Sequence, residues 1–274
     1  MIWLLLAVLM SASISMIMRT AQKSGARGIG LVACNYIGCV LLGLTGTLRS
    51  GAGALEGLSF TLGLGALTGA MFLLSFLLLN LNVEKNGVVV SSTFMRLGLV
   101  VSLLLSAVLF HEVPRAWQVA GILIAVFAIL LLNEKGGTRK MVPLLVLMAT
   151  AGLSDSMPKV FEAKGAAAAQ PLFLTVVFGC ALVIGGLVIL LRGERVGARH
   201  LLFGLLLSLP NYFSSRFFMK ALMEVPSAVA FPVYSAGTIM VVTLLGRVLF
   251  QERLGRRQQA AMALFTLSLV LLNL

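Results

Sequence analysis

The segment VLFHE at residues 108–112 recurs as VLFQE at residues 248–252, 140 positions later in the chain. With the same offset, the 26 positions that begin at these two segments share nine identities without a gap. Two apolar helices often resemble each other by chance, but the matched loop residues Glu112 and Glu252 are harder to obtain by accident. We therefore predict that the chain contains an internal duplication.

The composition of the chain is that of a membrane protein. Of its 274 residues, 59% are hydrophobic and only 11% are charged, and the mean hydropathy is +1.06. Soluble domains carry about 25% charged residues. The net charge of +12 comes from short basic clusters between apolar segments, a pattern of membrane topology and not of nucleic-acid binding. No nucleic-acid partner is expected.

Ten apolar segments alternate with these charged clusters, and each is close to the roughly 20 residues that cross a bilayer. They lie at 2–18, 28–48, 57–80, 87–110, 116–133, 141–158, 170–191, 201–222, 226–249 and 257–274. Strand-like alternation is missing, and backbone groups in lipid must be satisfied within the segment. The sequence therefore predicts an all-α integral membrane protein with ten transmembrane helices and no folded extramembrane domain.

The duplication divides these helices into two repeats of five, residues 1–137 and residues 138–274. Because five is an odd number, the second repeat enters the membrane inverted relative to the first. Inverted repeats around a central cavity are typical of secondary transporters, which bind their substrates near the midplane where the repeats meet.

The chain resembles the drug/metabolite transporter superfamily, and in particular its EamA-like ten-helix branch. The similarity rests on the five-plus-five arrangement and on an F-x-E motif at residues 110–112 and 250–252, each followed by an apolar helix with small residues. The resemblance implies a basket of helices, with the first, third, fourth, sixth, eighth and ninth lining the cavity. It implies that the last two helices of each repeat form scaffold or a homodimer surface. Substrates of the superfamily include amino acids, drugs, nucleotide-sugars and organic ions.

Serine pairs mark equivalent helices of the two repeats. An S-x-S-M pattern places Ser13 and Ser15 in the first segment and Ser154 and Ser156 in the sixth. Hydroxyls at matched depth suit a substrate site at the midplane. The alternative is that these serines bond to their own backbone and permit close helix packing.

Asp155 is the one acidic residue within an apolar segment, which makes it a candidate for substrate binding and for proton coupling. Pro158 removes a backbone donor, and a local break in the helix is expected there. The alternative role for Asp155 is a local ion pair with Lys159, four residues further along the chain.

Arg96 and Arg216 also lie within apolar segments and have no acidic residue within one turn. An arginine in the membrane needs a partner or contact with water. Asp155 can satisfy only one of them, so the other favours a substrate with a carboxylate or a phosphate. Snorkelling of the side chain toward an interface is the alternative.

Asn211, Tyr212 and Tyr234 are further substrate-binding candidates on the eighth and ninth segments. Aromatic residues together with an acid would instead suit a cation. Aromatic residues in membrane proteins also serve in packing and in interface belts.

These features together predict a secondary active transporter that uses alternating access, with proton coupling or exchange, for a small polar metabolite with a carboxylate or phosphate. The alternatives are an exporter of organic cations or drugs, and an accessory subunit of a lipid-linked flippase. No phosphate-binding GxxxxGK[ST] loop is present, and His111 and His200 lie in loops without catalytic partners. No enzymatic activity, cofactor or metal site is therefore expected.

Basic residues are distributed unequally between the loops. Thirteen lie in the loops after odd-numbered segments and five in the others. Positive residues favour the cytoplasm, so the distribution of charge predicts that both termini lie outside. Analogy with the family places both termini inside, and we follow the charge. The expected location is a bacterial inner membrane.

We expect a fluorescent reporter that matures only in the cytoplasm to stay dark when it is fused after Leu274. The same reporter fused after Arg139, in the loop between the fifth and sixth segments, is expected to be bright. Whole-cell fluorescence, normalised to the amount of fusion protein, measures the difference. A bright fusion after Leu274 would contradict the predicted orientation.

Overall fold

The computed structural model describes residues 1–86, 88–112, 114–131, 141–250 and 255–272, without the side chains at 88–90, 93, 247, 249 and 250. Two features of the sequence prediction lie outside these residues. They are most of the second F-x-E motif, including Glu252, and the basic loop at 132–140.

The described residues form ten α-helices and two short 3-10 helices. The α-helices are α1 (Ile2–Lys23), α2 (Ile29–Ser50), α3 (Leu58–Asn86), α4 (Val88–Phe110), α5 (Ala116–Leu131), α6 (Met141–Lys164), α7 (Gln170–Arg192), α8 (Ala198–Glu224), α9 (Ser227–Phe250) and α10 (Arg256–Leu272). The 3-10 helices, Gly51–Leu55 and Ala167–Ala169, precede α3 and α7. Helices satisfy their backbone groups internally, as a bilayer requires.

Within the described ranges, six of these helices are long and apolar enough to cross a membrane. They are α1, α2, α3, α6, α7 and α9. Shorter apolar helical stretches lie at Phe94–Phe110 in α4 and at Ala116–Leu131 in α5. The all-helical, membrane-spanning character predicted from the composition is therefore confirmed. Ten crossings and an inverted repeat remain predictions.

The helices begin close to the predicted positions, but several end later. α6 continues through Pro158 to Lys164, so the break expected at this proline is wrong. Proline is tolerated in membrane helices because neighbouring groups can satisfy the freed carbonyl. α3 likewise extends to Asn86, beyond the charged residues that mark the end of the apolar segment.

The chain forms two compact units, and each contains helices from both halves of the sequence. The first unit comprises residues 2–73 and 160–220, and the second comprises residue 1 with residues 74–159 and 221–274. These units are defined by contacts in space and differ from the predicted repeats, which are defined by equivalent positions in the sequence.

Glycines allow close helix packing in the first unit, where α2 lies against α7. A Cβ atom at Gly43 would lie 3.1 Å from Thr175 Cα. On α3, a Cβ atom at Gly65 would lie 2.9 Å from Val176 Cβ. Small residues at these positions let the backbones approach, as is usual between membrane helices.

The second unit has an apolar core built from α4, α5, α9 and α10. Its buried residues are Leu97, Leu99, Ala128, Ile129, Ala236, Ala261 and Phe265. A side-chain hydrogen bond also joins α10 to α5, because the Ser268 hydroxyl donates to the carbonyl of Gly121 at 2.8 Å.

α4 and α6 cross closely in the second unit at Gly98 and Gly152. A Cβ atom at Gly98 would lie 2.8 Å from the Gly152 nitrogen. One turn further along α4, the Ser102 hydroxyl donates to the Gly152 carbonyl at 2.9 Å. This crossing fixes the relative depth of the two helices.

We expect Gly98→Ala to lower the thermal stability of the detergent-solubilised protein, because the added methyl group has no space between α4 and α6. Overpacking of this kind destabilises a fold by about 1–3 kcal/mol. Gly186→Ala on α7 is the control, since a Cβ atom there meets nothing within 4 Å. The unfolding midpoint is measured on heating as the loss of the monodisperse size-exclusion peak. An equal midpoint for the two variants would contradict the proposed close crossing.

Candidate functional site

The second unit carries an acid and a base on neighbouring helices. Asp155 on α6 interacts electrostatically with Arg96 on α4, without a direct salt bridge between them. Asp155 is exposed and Arg96 is half-buried. The two charges therefore act on each other over more than hydrogen-bond distance.

The close crossing of α4 and α6 explains why these two charges meet. Arg96 lies two residues before Gly98, and Asp155 lies three residues after Gly152. The glycines bring the two backbones together and so place the side chains of the neighbouring turns within electrostatic range. Within one turn of its own helix, Arg96 has no acidic residue, and the one basic residue near Asp155 is Lys159.

Three of the four serines of the S-x-S-M patterns donate their protons to their own helices. The hydroxyls of Ser154 and Ser156 donate to the carbonyls of Thr150 and Gly152, both at 2.6 Å. In α1, the Ser13 hydroxyl donates to the Leu9 carbonyl at 2.9 Å.

Helix packing accounts for the two buried serines of α6. Ser154 contacts the Ser75 hydroxyl of α3 at 3.2 Å, and both Ser154 and Ser156 are buried. Ser15 of α1 is half-buried. The hydroxyl oxygens can still accept a hydrogen bond, so a ligand role for the serines remains a prediction.

A cavity of about 420 Å³ lies between α2 and α8 in the first unit. Its polar lining residues are Thr45, Arg49 and Ser50 of α2, with Tyr212 and Arg216 of α8. This volume is within the range of about 300–1,000 Å³ that small-molecule sites occupy. Two of the predicted site residues, Tyr212 and Arg216, therefore line one cavity.

Asn211 and Tyr234, the other substrate-binding candidates predicted on α8 and α9, do not line this cavity. Asn211 is half-buried on α8, and its side chain interacts with the Cys39 thiol of α2. Tyr234 is half-buried on α9, and its backbone carbonyl accepts a hydrogen bond from Thr238 at 2.7 Å.

The candidates thus divide between the units. The second unit holds Arg96, Ser154, Asp155, Ser156 and Tyr234, and the first holds Ser13, Ser15, Asn211, Tyr212 and Arg216. The candidates in the second unit include two opposite charges, Asp155 and Arg96, whereas those in the first unit include two residues that line a basic cavity.

A second ion pair joins three elements of the second unit. Lys159 Nζ at the end of α6 lies 3.0 Å from Glu112 Oε1, in the connection between α4 and α5. Only 9% of the Lys159 side chain and 23% of the Glu112 side chain are exposed. Lys159 also donates to the Leu222 carbonyl at 3.4 Å. Lys159 therefore pairs with Glu112, while Asp155 has Arg96 as its electrostatic partner.

The other carboxylate oxygen of Glu112 caps α9. Glu112 Oε2 accepts a hydrogen bond of 2.7 Å from the backbone nitrogen of Ser227, the first residue of that helix. A carboxylate is favourable at this position because the helix dipole is positive there. Burial raises the pKa of Glu112, but the hydrogen bonds from Lys159 and Ser227 outweigh it and hold the pKa below its ordinary value.

Comparison with known proteins gives the fold without a function. An uncharacterized protein of Haemophilus influenzae is 23% identical over 274 aligned residues, which cover 92% of this chain and 91% of that protein. A crystal structure described as that of a protein superposes with a TM-score of 0.80 and 17% identity, over 98% of this chain and 94% of the other. No family model matches the sequence.

Sequence reasoning missed two sets of residues. Arg49 is not among the predicted site residues, but it lines the cavity with Arg216. Glu112 is used there only as evidence of the duplication, and Lys159 only as a possible partner of Asp155, but the two form a largely buried pair with each other. The recurrence of a glutamate in both F-x-E motifs was the available signal for Glu112. The pairing itself gave no signal, because Glu112 and Lys159 lie 47 positions apart.

We expect Glu112→Gln to lower the stability of the solubilised protein at neutral pH by about 2 kcal/mol, since hydrogen bonds to charged groups contribute about 1.5–3 kcal/mol. Because folding lowers the pKa of Glu112, its contribution is present above the ordinary value of 4.5 and is lost as the pH falls through the folded-state value. The unfolding midpoint, measured between pH 3.5 and 7.5, should therefore fall less steeply toward acid in the variant.

Glu194→Gln provides the matched control, because Glu194 is exposed and lies 3.9 Å from Arg192. Exposed pairs contribute about 0–1 kcal/mol. The structural role of Glu112 would be refuted by a Glu112→Gln profile that coincides with that of Glu194→Gln.

Proposed function

We propose that this protein is a secondary active transporter for a small polar metabolite that carries a carboxylate or a phosphate. The observation that carries the proposal is the presence of Asp155 and Arg96 within electrostatic range of each other, on neighbouring helices of a multi-pass membrane fold. Charges within a membrane protein are expensive, and they commonly mark a substrate or ion pathway. A structural ion pair would gain most from direct contact, and these two side chains form no direct salt bridge.

The proposal includes ten transmembrane helices arranged as two inverted repeats. Helices that are equivalent under the 140-residue offset pack against each other: α2 against α7 in the first unit, and α5 against α10 in the second. Contacts between equivalent elements are expected near a pseudo-two-fold axis. This packing supports membership in the EamA-like branch of the drug/metabolite transporter superfamily, and the bacterial inner membrane is the proposed location.

Asp155 is the proposed proton carrier. In its charged form it attracts Arg96, and in its protonated form it releases this electrostatic partner. The position of α4 relative to α6 then depends on the protonation of one carboxyl group. Such coupling links a proton gradient to the two states that alternating access requires.

An exporter of organic cations, the alternative function, is less compatible with the cavity of the first unit. Arg49 and Arg216 both line it, and none of its lining residues in the described part of the chain is acidic. Two guanidinium groups repel a cation, so the aromatic ring of Tyr212 would have to outweigh them.

Transport is tested with the full chain reconstituted in proteoliposomes. Accumulation of radiolabelled phosphate, glycerol phosphate, succinate and glutamate, and of tetraphenylphosphonium as the cationic alternative, is measured with and without a pH gradient. We expect an anion to accumulate, and Asp155→Asn to abolish the dependence on the gradient while exchange of the labelled anion continues.

Arg96→Gln is expected to lower both gradient-driven accumulation and exchange by about tenfold or more, since tenfold corresponds to about 1.4 kcal/mol. Glu194→Gln, which removes an exposed carboxylate, should transport like the wild type. Wild-type transport by both Asp155→Asn and Arg96→Gln would refute the proposed pair, and accumulation of only the cation would favour the alternative function.

A further inference from the structure

The cavity between α2 and α8 offers hydrogen-bond donors and positive charge without a matching acid. Among the described residues, neither Arg49 nor Arg216 forms a salt bridge. Arg216 is half-buried, about two-thirds of the way along α8, and Arg49 is exposed at the end of α2. Two guanidinium groups that line one cavity without an acidic partner repel each other, and a bound anion would offset this repulsion.

The hydroxyl groups of Thr45 and Ser50 in the cavity wall already donate their protons to their own helix. Thr45 donates its proton to the Leu42 carbonyl at 2.8 Å, and Ser50 donates to the Gly46 carbonyl at 3.1 Å. These two hydroxyls can therefore accept but do not compete with the arginines as donors. Donors for a ligand must come from the guanidinium groups.

Tyr212 supplies an independent observation at the wall of the cavity. Tyr212 is 1% exposed, and its hydroxyl lies within reach of the Arg216 guanidinium, although the contact falls short of full hydrogen-bond geometry. On the α2 side, a Cβ atom at Gly46 would lie 3.1 Å from the same oxygen. A ligand oxygen bound by Arg216 would therefore lie beside the Tyr212 hydroxyl, which can donate a hydrogen bond to it.

We propose that this cavity is a binding site for the phosphate group of a phosphate monoester, held by Arg49 and Arg216. A monoester carries a charge of about −1.5 to −2 at neutral pH, which balances two guanidinium groups. A single carboxylate would balance only one. The planar fork of arginine matches phosphate oxygens in a bidentate geometry.

One local effect opposes anion binding here. Arg49 lies in the last turn of α2, where the backbone carbonyls carry a partial negative charge equivalent to roughly half an electron. The full charges of Arg49 and Arg216 exceed it, so the cavity remains positive overall.

This inference rests on the proposed function in one respect: the site would hold the anionic group of the transported solute. Binding is measured without transport, so a failure of this inference and a failure of the transport proposal give different results. The phosphate could belong to a soluble metabolite or to a lipid headgroup, and both carry the chemistry that the arginines recognise.

The test uses the full chain in nanodiscs made of phosphatidylcholine. Isothermal titration with glycerol phosphate gives the affinity of the wild type, of Arg49→Gln and of Arg216→Gln. Arg27→Gln is the control, because it removes the same charge from an exposed position of the first unit outside the cavity. Arg216→Lys keeps the charge without the fork and serves if Arg216→Gln does not fold.

We expect each cavity variant to bind glycerol phosphate at least about tenfold more weakly than Arg27→Gln does, as loss of a charged hydrogen bond implies. In a second arm, the thermal stability of the same proteins is compared in nanodiscs with and without phosphatidic acid. The phosphate would be assigned to a lipid if phosphatidic acid stabilises the wild type and Arg27→Gln but not the cavity variants, and if none of the proteins binds glycerol phosphate. If the cavity variants match Arg27→Gln in both arms, the site does not exist.

Discussion

A charge within an apolar helix must find a partner or water, because lipid supplies neither, and this constraint governs every polar feature of the fold. The chain carries few charged residues, and those on the helices have defined surroundings. Asp155 is exposed and interacts electrostatically with Arg96. Lys159 has Glu112 and a backbone carbonyl. Arg216 faces a cavity that it shares with Arg49. The last case lacks a counter-charge, which is why it points to a ligand.

Glycines determine which of these charges meet. At the crossing of α4 and α6, Gly98 and Gly152 let two backbones approach, and Arg96 and Asp155 lie within a turn of that crossing. At the cavity, Gly46 leaves room beside the Tyr212 hydroxyl. Membrane helices associate through packing of this kind because lipid tails are as apolar as the side chains they would displace. Small residues therefore act on function indirectly, by placing charged neighbours.

The two ion pairs of the second unit differ in a way that separates structural from functional roles. Glu112 contacts Lys159 directly and also caps α9, so its carboxylate is fully used within the protein. Asp155 and Arg96 interact at longer range, and Asp155 is exposed. A pair with satisfied geometry holds three elements together. A pair without it can respond to a proton or to a solute, which is the basis of the proposed coupling.

The sequence by itself determined the helical membrane class and the positions of the apolar segments. Both are local properties: a bilayer demands long apolar segments with internally satisfied backbone. It also singled out Asp155, Arg96 and Arg216, because intramembrane charge is visible in one dimension. Only the tertiary structure decided that Lys159 pairs with Glu112, that Arg49 joins Arg216 at a cavity, and that α6 passes through Pro158 unbroken. These outcomes depend on which helix faces pack together, and that choice is made between segments far apart in the chain.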